Sequence, residues 1–161
     1  MDQWQQVRQE LLAQETEFTH ARRALTQRLP ATRVTQDYLF DGRDGRASLR
    51  DLFAGKRTLV VYHFLAMDPD CVGCSLAVDS IGHPAQLNAP DAALVVVSRA
   101  PLATVGSYRN RMSWWVPWYS SAGTDFQPVT SGFHHALSVF VRSGDDILQT
   151  YSTFDAMPAV A

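Results

Sequence analysis

Apolar residues recur at helical spacing through residues 1–30. They form one stripe, interrupted at Gln14, that comprises Trp4, Val7, Leu11, Phe18, Ala21 and Leu25. This periodicity predicts an amphipathic helix that runs to about Leu29 and ends at Pro30. A lone helix gains little stability by itself, so its stripe must pack on the body of the protein or on a second chain. A homodimer through this helix is therefore one prediction.

Short apolar runs separated by turn residues follow the helix. Residues 36–40 predict a strand, and the sequence DGRDG at 41–45 supplies the turn of a β-hairpin. Ser48 and Asp51, three residues apart, predict the cap of a short helix. The second part of the chain thus begins as strands and tight turns rather than as a continuation of the helix.

Two longer apolar runs, Thr58 to Phe64 and Ala92 to Ser98, lack polar alternation, which is typical of central strands covered on both faces. Helices are predicted for residues 75–81 and 104–112. Strand and helix then alternate, which indicates parallel strands joined by crossovers. Residues 136–142 and 147–151, around the turn SGDD, predict an antiparallel hairpin.

These elements predict an α/β fold with a mixed central sheet flanked by helices. The predicted organisation is an N-terminal amphipathic helix at residues 1–30, a single domain at 31–155 and a tail at 156–161. No internal repeat or low-complexity linker divides the sequence.

Composition narrows the function classes. The chain has 161 residues, 46% of them hydrophobic, which suits one core that folds without disulfides. Its 14 basic and 16 acidic side chains nearly cancel, so neither nucleic acid nor a membrane surface is a predicted partner. No apolar run approaches the roughly 20 residues of a membrane span, and the polar N-terminus lacks the pattern of a secretory signal. The predicted location is the cytoplasm, where thiols rest reduced.

The only two cysteines, Cys71 and Cys74, lie in the sequence DPDCVGCS between the first apolar strand and a helix. At that position the first sulfur lies at the helix N-terminus, where backbone N–H groups favour a thiolate. The second sulfur lies one helical turn further on, within bonding reach of the first. The motif therefore predicts a redox dithiol in which Cys71 attacks a disulfide and Cys74 resolves the mixed disulfide.

Several further stretches occur in the order found in one bacterial family. The run from Asp37 to Tyr151 resembles thioredoxin-like proteins of unknown function that are described as predicted dithiol-disulfide oxidoreductases. The matching stretches are LVVYHF, CVGCS, VVVSRAPL, YRNRMSWWVPWYSS, DF, LSVFVR and TYSTF. The resemblance implies a thioredoxin-like fold with Cys71 and Cys74 as the redox pair. Its implied partners are a disulfide-containing or thiol substrate and a cellular thiol reductant, with no bound cofactor.

The sequence departs from thioredoxin itself at two places. Asp70 replaces the tryptophan that precedes the first cysteine, and with Asp68 it disfavours a thiolate. The residues directly before Leu137 include no proline, whereas thioredoxins have at this place the cis-proline that faces the dithiol. His135 is the candidate to take the place of that proline beside a substrate.

Four other side chains are candidates for substrate contact. His63 lies in the first apolar strand, and a charged imidazole near the cysteine loop would stabilise a thiolate. A histidine that only packs in the core is the competing interpretation. Trp114 and Trp118 belong to a dense aromatic segment that either packs in the core or lines a groove. Arg99 follows a parallel strand, at the sheet edge where ligands bind in α/β folds.

Two alternatives to the enzyme remain open. One is a thioredoxin-fold binding module without redox turnover, in which the cysteines are small core residues. The other is a zinc site built from the cysteines together with His134 and His135, and with His63 or His83 as further ligands. The separation between the cysteines and the adjacent histidines matches no compact zinc module.

Overall fold

The computed structural model describes residues 2–64, 72–81, 91–126 and 135–154. The chain divides into two compact units between Pro30 and Ala31. The first unit contains the helix α1, Gln3–Thr26. The prediction of an N-terminal helix is confirmed, but the helix stops three residues before Leu29. Leu29 precedes a proline, which disfavours helical dihedrals, and its N–H bonds the Thr26 carbonyl in a tighter turn.

No residue of α1 is buried. The large apolar side chains of its stripe are all more than half exposed, from 53% at Leu11 to 69% at Phe18. Among the described residues, no helix combines the length and apolar character that a membrane span requires.

The second unit contains a mixed sheet whose described strands follow the order β1-β8-β7-β4-β5-β6-β2-β3. The strands β4, β5 and β6 run parallel to one another, and the other pairings are antiparallel. The strands are β1 (Thr32–Arg33), β2 (Leu39–Gly42), β3 (Gly45–Ser48), β4 (Thr58–Phe64), β5 (Ala92–Ser98), β6 (Trp118–Ser120), β7 (His135–Ser143) and β8 (Asp146–Phe154). The helices are a 3-10 helix (Asp51–Phe53), α2 (Val72–Asp79) and α3 (Leu102–Met112). The predicted fold class, a mixed sheet with flanking helices, is confirmed.

The first hairpin differs in register from its prediction. The strand lies at Leu39–Gly42 rather than at 36–40, and Gly42 pairs directly with Gly45. Gly45 has a positive φ of 116°, a conformation that favours glycine. A side chain at Gly42 would also collide with the ring of Tyr119, since an added Cβ would lie 2.7 Å from it. The two glycines therefore fix the turn at Arg43 and Asp44.

The two faces of the sheet support separate apolar cores. Alternate residues of β4 point to opposite faces, so Tyr62 and Phe64 join one core and Leu59 and Val61 the other. The first core, here called the helix-side core, includes residues of α2 and α3. The second, here called the hairpin-side core, is covered by the 3-10 helix, by Phe40 of β2 and by Phe126.

Candidate functional site

The strand β4 ends at Phe64, and α2 begins at Val72, immediately after the first cysteine. The helix thus starts three residues earlier than predicted, and Cys74 falls in its first turn. Cys71, Asp68 and Asp70 lie outside the described residues. What the structure describes is the support for the motif: a buried central strand before it and a helix that opens directly behind it.

Cys74 is fully buried, with 0% exposure. It belongs to the helix-side core together with Tyr62 and Phe64 of β4 and with Tyr108 and Trp114 from the region of α3. A sulfur in this position is shielded from bulk solvent. It is therefore better placed to meet a neighbouring sulfur of its own chain than to meet a large substrate directly.

Three hydrogen bonds hold α2 against the helix-side core. The Tyr62 hydroxyl donates to the Cys74 carbonyl at 3.5 Å, and the hydroxyl groups of Ser75 and Tyr108 lie 2.6 Å apart. At the other end of α2, the Trp114 indole N–H donates to an Asp79 carboxylate oxygen at 2.6 Å. Hydrogen bonds along the length of the helix restrict its rotation, so they fix where Cys74 points.

Apart from Trp114, these supporting residues were not among the predicted site residues. Tyr108 and Asp79 carry polar groups within helices, and single-residue patterns give no sign of which partner each one meets. Successive right-handed crossovers that proceed in one direction across a sheet place their helices on the same face, as α2 and α3 are placed here. That neighbourhood was the available signal for a tyrosine or tryptophan contact with the cysteine helix.

Both tryptophans that were predicted to contact a substrate belong to the helix-side core. Trp114 and Trp118 are 8% and 5% exposed, and their rings stack 5.3 Å apart at an interplanar angle of 6°. The indole N–H of Trp118 is buried without a hydrogen-bond partner among the described residues. Trp118 also borders a cavity of about 300 Å³ that includes Arg43 and Arg109. Packing accounts for Trp114, while substrate contact by either ring stays a prediction.

His63 points away from the cysteine helix. Its ring stacks on Phe126 at 5.5 Å in the hairpin-side core, and its Nε2 lies 2.9 Å from the Ser138 hydroxyl. Burial lowers the pKa of His63 from its ordinary value of 6.5 to about 3, so the imidazole is neutral at pH 7. An uncharged ring on the side opposite Cys74 does not favour the hypothesis of a charged His63 that stabilises a thiolate. Its role as a substrate contact stays a prediction, since His63 borders a cavity of about 210 Å³.

His135 and Arg99 lie beside the carboxyl end of β4. The strand register pairs His135 with Phe64 on one side of β4 and Ser98 with Phe64 on the other. Arg99 comes directly after Ser98 and is exposed. The backbone thus brings both predicted contact residues to the end of the strand that leads into the cysteine motif. Their contact with a substrate stays a prediction.

Buried serines shape the same end of the sheet. The Ser98 carbonyl accepts from the Ser121 N–H at 2.8 Å, and the Ser98 hydroxyl accepts from the Ala100 N–H at 3.2 Å. The Ser120 hydroxyl donates to the Ala100 carbonyl at 2.8 Å. These bonds fix the turn that presents Arg99, and none of the three serines was among the predicted site residues.

The described residues give no support to the alternative of a zinc site. The part of the chain that the structure describes contains no group of three or more metal-ligating side chains. Cys74 and His63 point to opposite faces of the sheet, so the two cannot share one ion. His83 and His134 lie outside the described residues.

A family model matches residues 1–157, and its description reads "Bacterial protein of unknown function (DUF899)". The chain belongs to this family. The match covers both α1 and the sheet unit, so the family comprises the helix as well as the domain that follows it. A comparison with curated proteins gives no match.

Solved structures similar to this chain have thioredoxin-like folds. One is a putative thiol:disulfide interchange protein DsbE from Chlorobium tepidum, with a TM-score of 0.55 and 14% identity, covering 77% of this chain and 86% of its own. Another is the exposed lipoprotein thioredoxin Etrx1 of Streptococcus pneumoniae, with a TM-score of 0.52 and 12% identity, covering 76% and 92%. A secreted Mycobacterium tuberculosis disulfide oxidoreductase homologous to E. coli DsbE has a TM-score of 0.50 and 17% identity, covering 78% and 87%. The predicted thioredoxin-like fold is confirmed.

Proposed function

We propose that this DUF899 protein is a thiol-disulfide oxidoreductase that uses Cys71 and Cys74. The observation that carries the proposal is the placement of the motif: α2 begins immediately after Cys71, at the end of a buried central strand, in a thioredoxin-like fold. Backbone N–H groups of a first helical turn favour a thiolate at that position. The burial of Cys74 suits a resolving thiol that meets only its neighbour.

The reaction transfers two electrons through one covalent intermediate. The Cys71 thiolate attacks one sulfur of a substrate disulfide, so a Cys71–substrate disulfide forms and the other substrate sulfur leaves as a thiolate. Cys74 loses its proton and attacks the Cys71 sulfur, which releases the second substrate thiolate. The substrate is thereby reduced to two thiols, and the protein holds a Cys71–Cys74 disulfide. Two thiols of a cellular reductant then restore the dithiol, with no bound cofactor.

Cysteine variants test this order of attack, with glutathione disulfide as the probe. Cys74→Ser removes the resolving thiol, so we expect a stable adduct of one glutathione per chain, detected by intact mass. Cys71→Ser is the matched control and retains only the buried thiol, so we expect no adduct under native conditions. Circular dichroism establishes that both variants are folded. Equal labelling of the two variants, or labelling of neither, would contradict the proposal.

A binding module without redox turnover is the second candidate. The observation that favours it is that Cys74 packs as a small residue inside the helix-side core, a role that needs no chemistry. Under this alternative, both single-cysteine variants stay unlabelled and the wild-type chain forms no internal disulfide.

We further propose that the protein works in the cytoplasm, where a thiol pool keeps the pair reduced. Two of the similar structures are described as a secreted and an exposed protein, so the compartment needs its own test. Alkylation of the thiols in intact cells, followed by mass detection, would find a reduced pair if the proposal holds. A fully oxidised pair would contradict it. The predicted homodimer is independent of this chemistry and rests on the exposed residues of α1.

A further inference from the structure

The stripe of α1 follows a strict three-four spacing rather than a general helical one. In heptad notation, the a positions are Trp4, Leu11, Phe18 and Leu25, and the d positions are Val7, Gln14 and Ala21. A repeat of 3.5 residues sustained over about three heptads is typical of a helix that packs along another helix. The 24 residues of α1 correspond to about 36 Å of helix.

The row of a and d residues, here called the seam, is narrow, which favours a helix over a sheet as its partner. The e positions beside it are Arg8, Glu15 and Arg22, and the g positions include Glu10 and Glu17. A helix that packs on a broad apolar surface needs a third apolar position in each heptad, whereas a coiled-coil seam needs only a and d. Charged flanks on both sides of an exposed apolar row therefore match the edges of a two-helix interface.

We propose that α1 forms an antiparallel coiled coil with α1 of a second copy of this chain. Sizes along the seam are the first reason, because every a position holds a large apolar side chain, while Val7 and Ala21 at d are small. An antiparallel pairing places each a residue opposite a d residue. Trp4 then faces Ala21 of the second copy, and Phe18 faces its Val7. These two kinds of layer combine a large and a small side chain, whereas a parallel pair would place large side chains opposite each other at a and small ones opposite each other at Val7 and Ala21.

The same register accommodates the polar residue of the seam. Gln14 faces Leu11 of the second copy, and symmetry places the two Gln14 side chains in adjacent layers. Their amides are then close enough to hydrogen-bond to each other across the two-fold axis, which satisfies them within the seam. A parallel pair in register would also bring the two Gln14 side chains together, in one layer, so Gln14 fixes the register of the two helices while the side-chain sizes favour their orientation.

Charge at the e positions agrees with this alignment. Arg8 lies beside Glu15 of the second copy, and the two-fold axis repeats that attractive pair. The g positions oppose it, because Glu10 lies beside Glu17 of the second copy. In a parallel pair the neighbours would differ: Glu10 would lie beside Glu15, and Glu17 beside Arg22. Two charge reversals therefore distinguish the two orientations.

The test measures the dimer dissociation constant of the full chain by sedimentation equilibrium in the presence of a reductant, which excludes intermolecular disulfides. Glu17→Arg converts the repulsive antiparallel pairs into attractive ones, so we expect a dissociation constant about threefold to tenfold lower. Glu15→Arg makes Arg8 face an arginine, so we expect a constant higher by a similar factor. The two variants change net charge equally and serve as each other's controls.

The opposite pair of results would overturn the antiparallel arrangement in favour of a parallel one. A monomer at every concentration, with all three proteins alike, would overturn the interface itself. Neither outcome depends on Cys71 or Cys74, so a failure here is separate from a failure of the proposed redox function.

Discussion

The two faces of the sheet beside β4 support different chemistry, although consecutive residues of one strand supply both. Tyr62 and Phe64 point into the helix-side core, to which Cys74 of α2 also belongs. His63, between them, points into the hairpin-side core and meets Ser138 and Phe126. On one face, the core packs against α2, which carries the Cys74 thiol. On the other face, the core surrounds the neutral imidazole of His63.

This difference shows why proximity in sequence is a poor guide to a shared site. His63 is the polar residue nearest to the cysteines along the strand, yet the two-residue period of a strand sends it to the other side. Groups distant in sequence, such as Tyr108 and Trp114, are the ones that hold the cysteine helix. The position of Cys74 thus depends on the helix-side core, and we expect changes in the two cores to have separable effects.

The largest expected effect comes from removing an aromatic ring from either core. Phe64→Ala removes a ring that contacts Tyr108, Trp114 and Trp118, and Phe126→Ala removes the ring that packs on His63. Each variant should lower the free energy of unfolding by about 3–5 kcal/mol, measured by urea denaturation.

Their effects on thiol chemistry should differ, since only Phe64 packs in the core that holds α2. With Cys74→Ser as the background, we expect the rate of glutathione adduct formation to change more than threefold for Phe64→Ala. For Phe126→Ala it should stay within about twofold. Equal rate changes in the two variants would mean that the cores do not act separately.

A smaller effect is expected from pH on the hairpin-side core. The folded-state pKa of His63, about 3, lies below the ordinary value of 6.5, so the unfolded chain takes up a proton that the folded chain does not. The stability that His63 contributes is complete above pH 6.5 and is lost as the pH falls towards 3. Between pH 7 and pH 5 the loss should be about 2 kcal/mol.

Urea denaturation at the two pH values measures this loss. His63→Gln keeps a group that can bond Ser138 but does not titrate, and it should lack the loss. If the variant and the wild type lose equal stability over this range, another group is responsible.

The smallest effect is expected from one hydrogen bond at α2. Tyr108→Phe removes the bond to Ser75 and should lower the free energy of unfolding by about 1 kcal/mol. The double variant with Ser75→Ala should show a coupling of similar size. Tyr151→Phe is the control, because the described residues show no hydrogen bond to the Tyr151 hydroxyl, and it should change stability by less than about 0.5 kcal/mol. If the effects of Tyr108→Phe and Ser75→Ala are additive, the hydrogen bond between the two side chains does not stabilise the packing of α2.

The central strands could be predicted from the sequence because burial on both faces leaves a plain signal. The predicted limits of β4 and β5 agree with the structure at both ends. The strand β6 was missed for two reasons. It contributes only three residues to the sheet, and it begins at Trp118, in an aromatic segment with a proline directly before it. The two-residue β1 is likewise too short to leave a periodic pattern.

The candidate site could be predicted only in part. Alternation along β4 indicates that His63 and Phe64 face opposite sides, but it does not say which side the cysteine helix covers. That choice depends on how α2 packs, and the packing is decided by contacts such as the one between Trp114 and Asp79. Residues at the end of a strand are easier to place, since His135 and Arg99 were expected at the edge where their backbone lies.

The proposed redox function requires that the two cysteines form one disulfide at equilibrium. Incubation of the wild-type chain in mixtures of reduced and oxidised glutathione, followed by acid quenching and intact mass, measures that equilibrium. We expect one transition to a species that has lost two hydrogen atoms and carries no glutathione, and expect Cys71→Ser and Cys74→Ser to abolish it. A wild-type chain that stays reduced across the whole range, or that gains only glutathione adducts, would contradict the proposed dithiol.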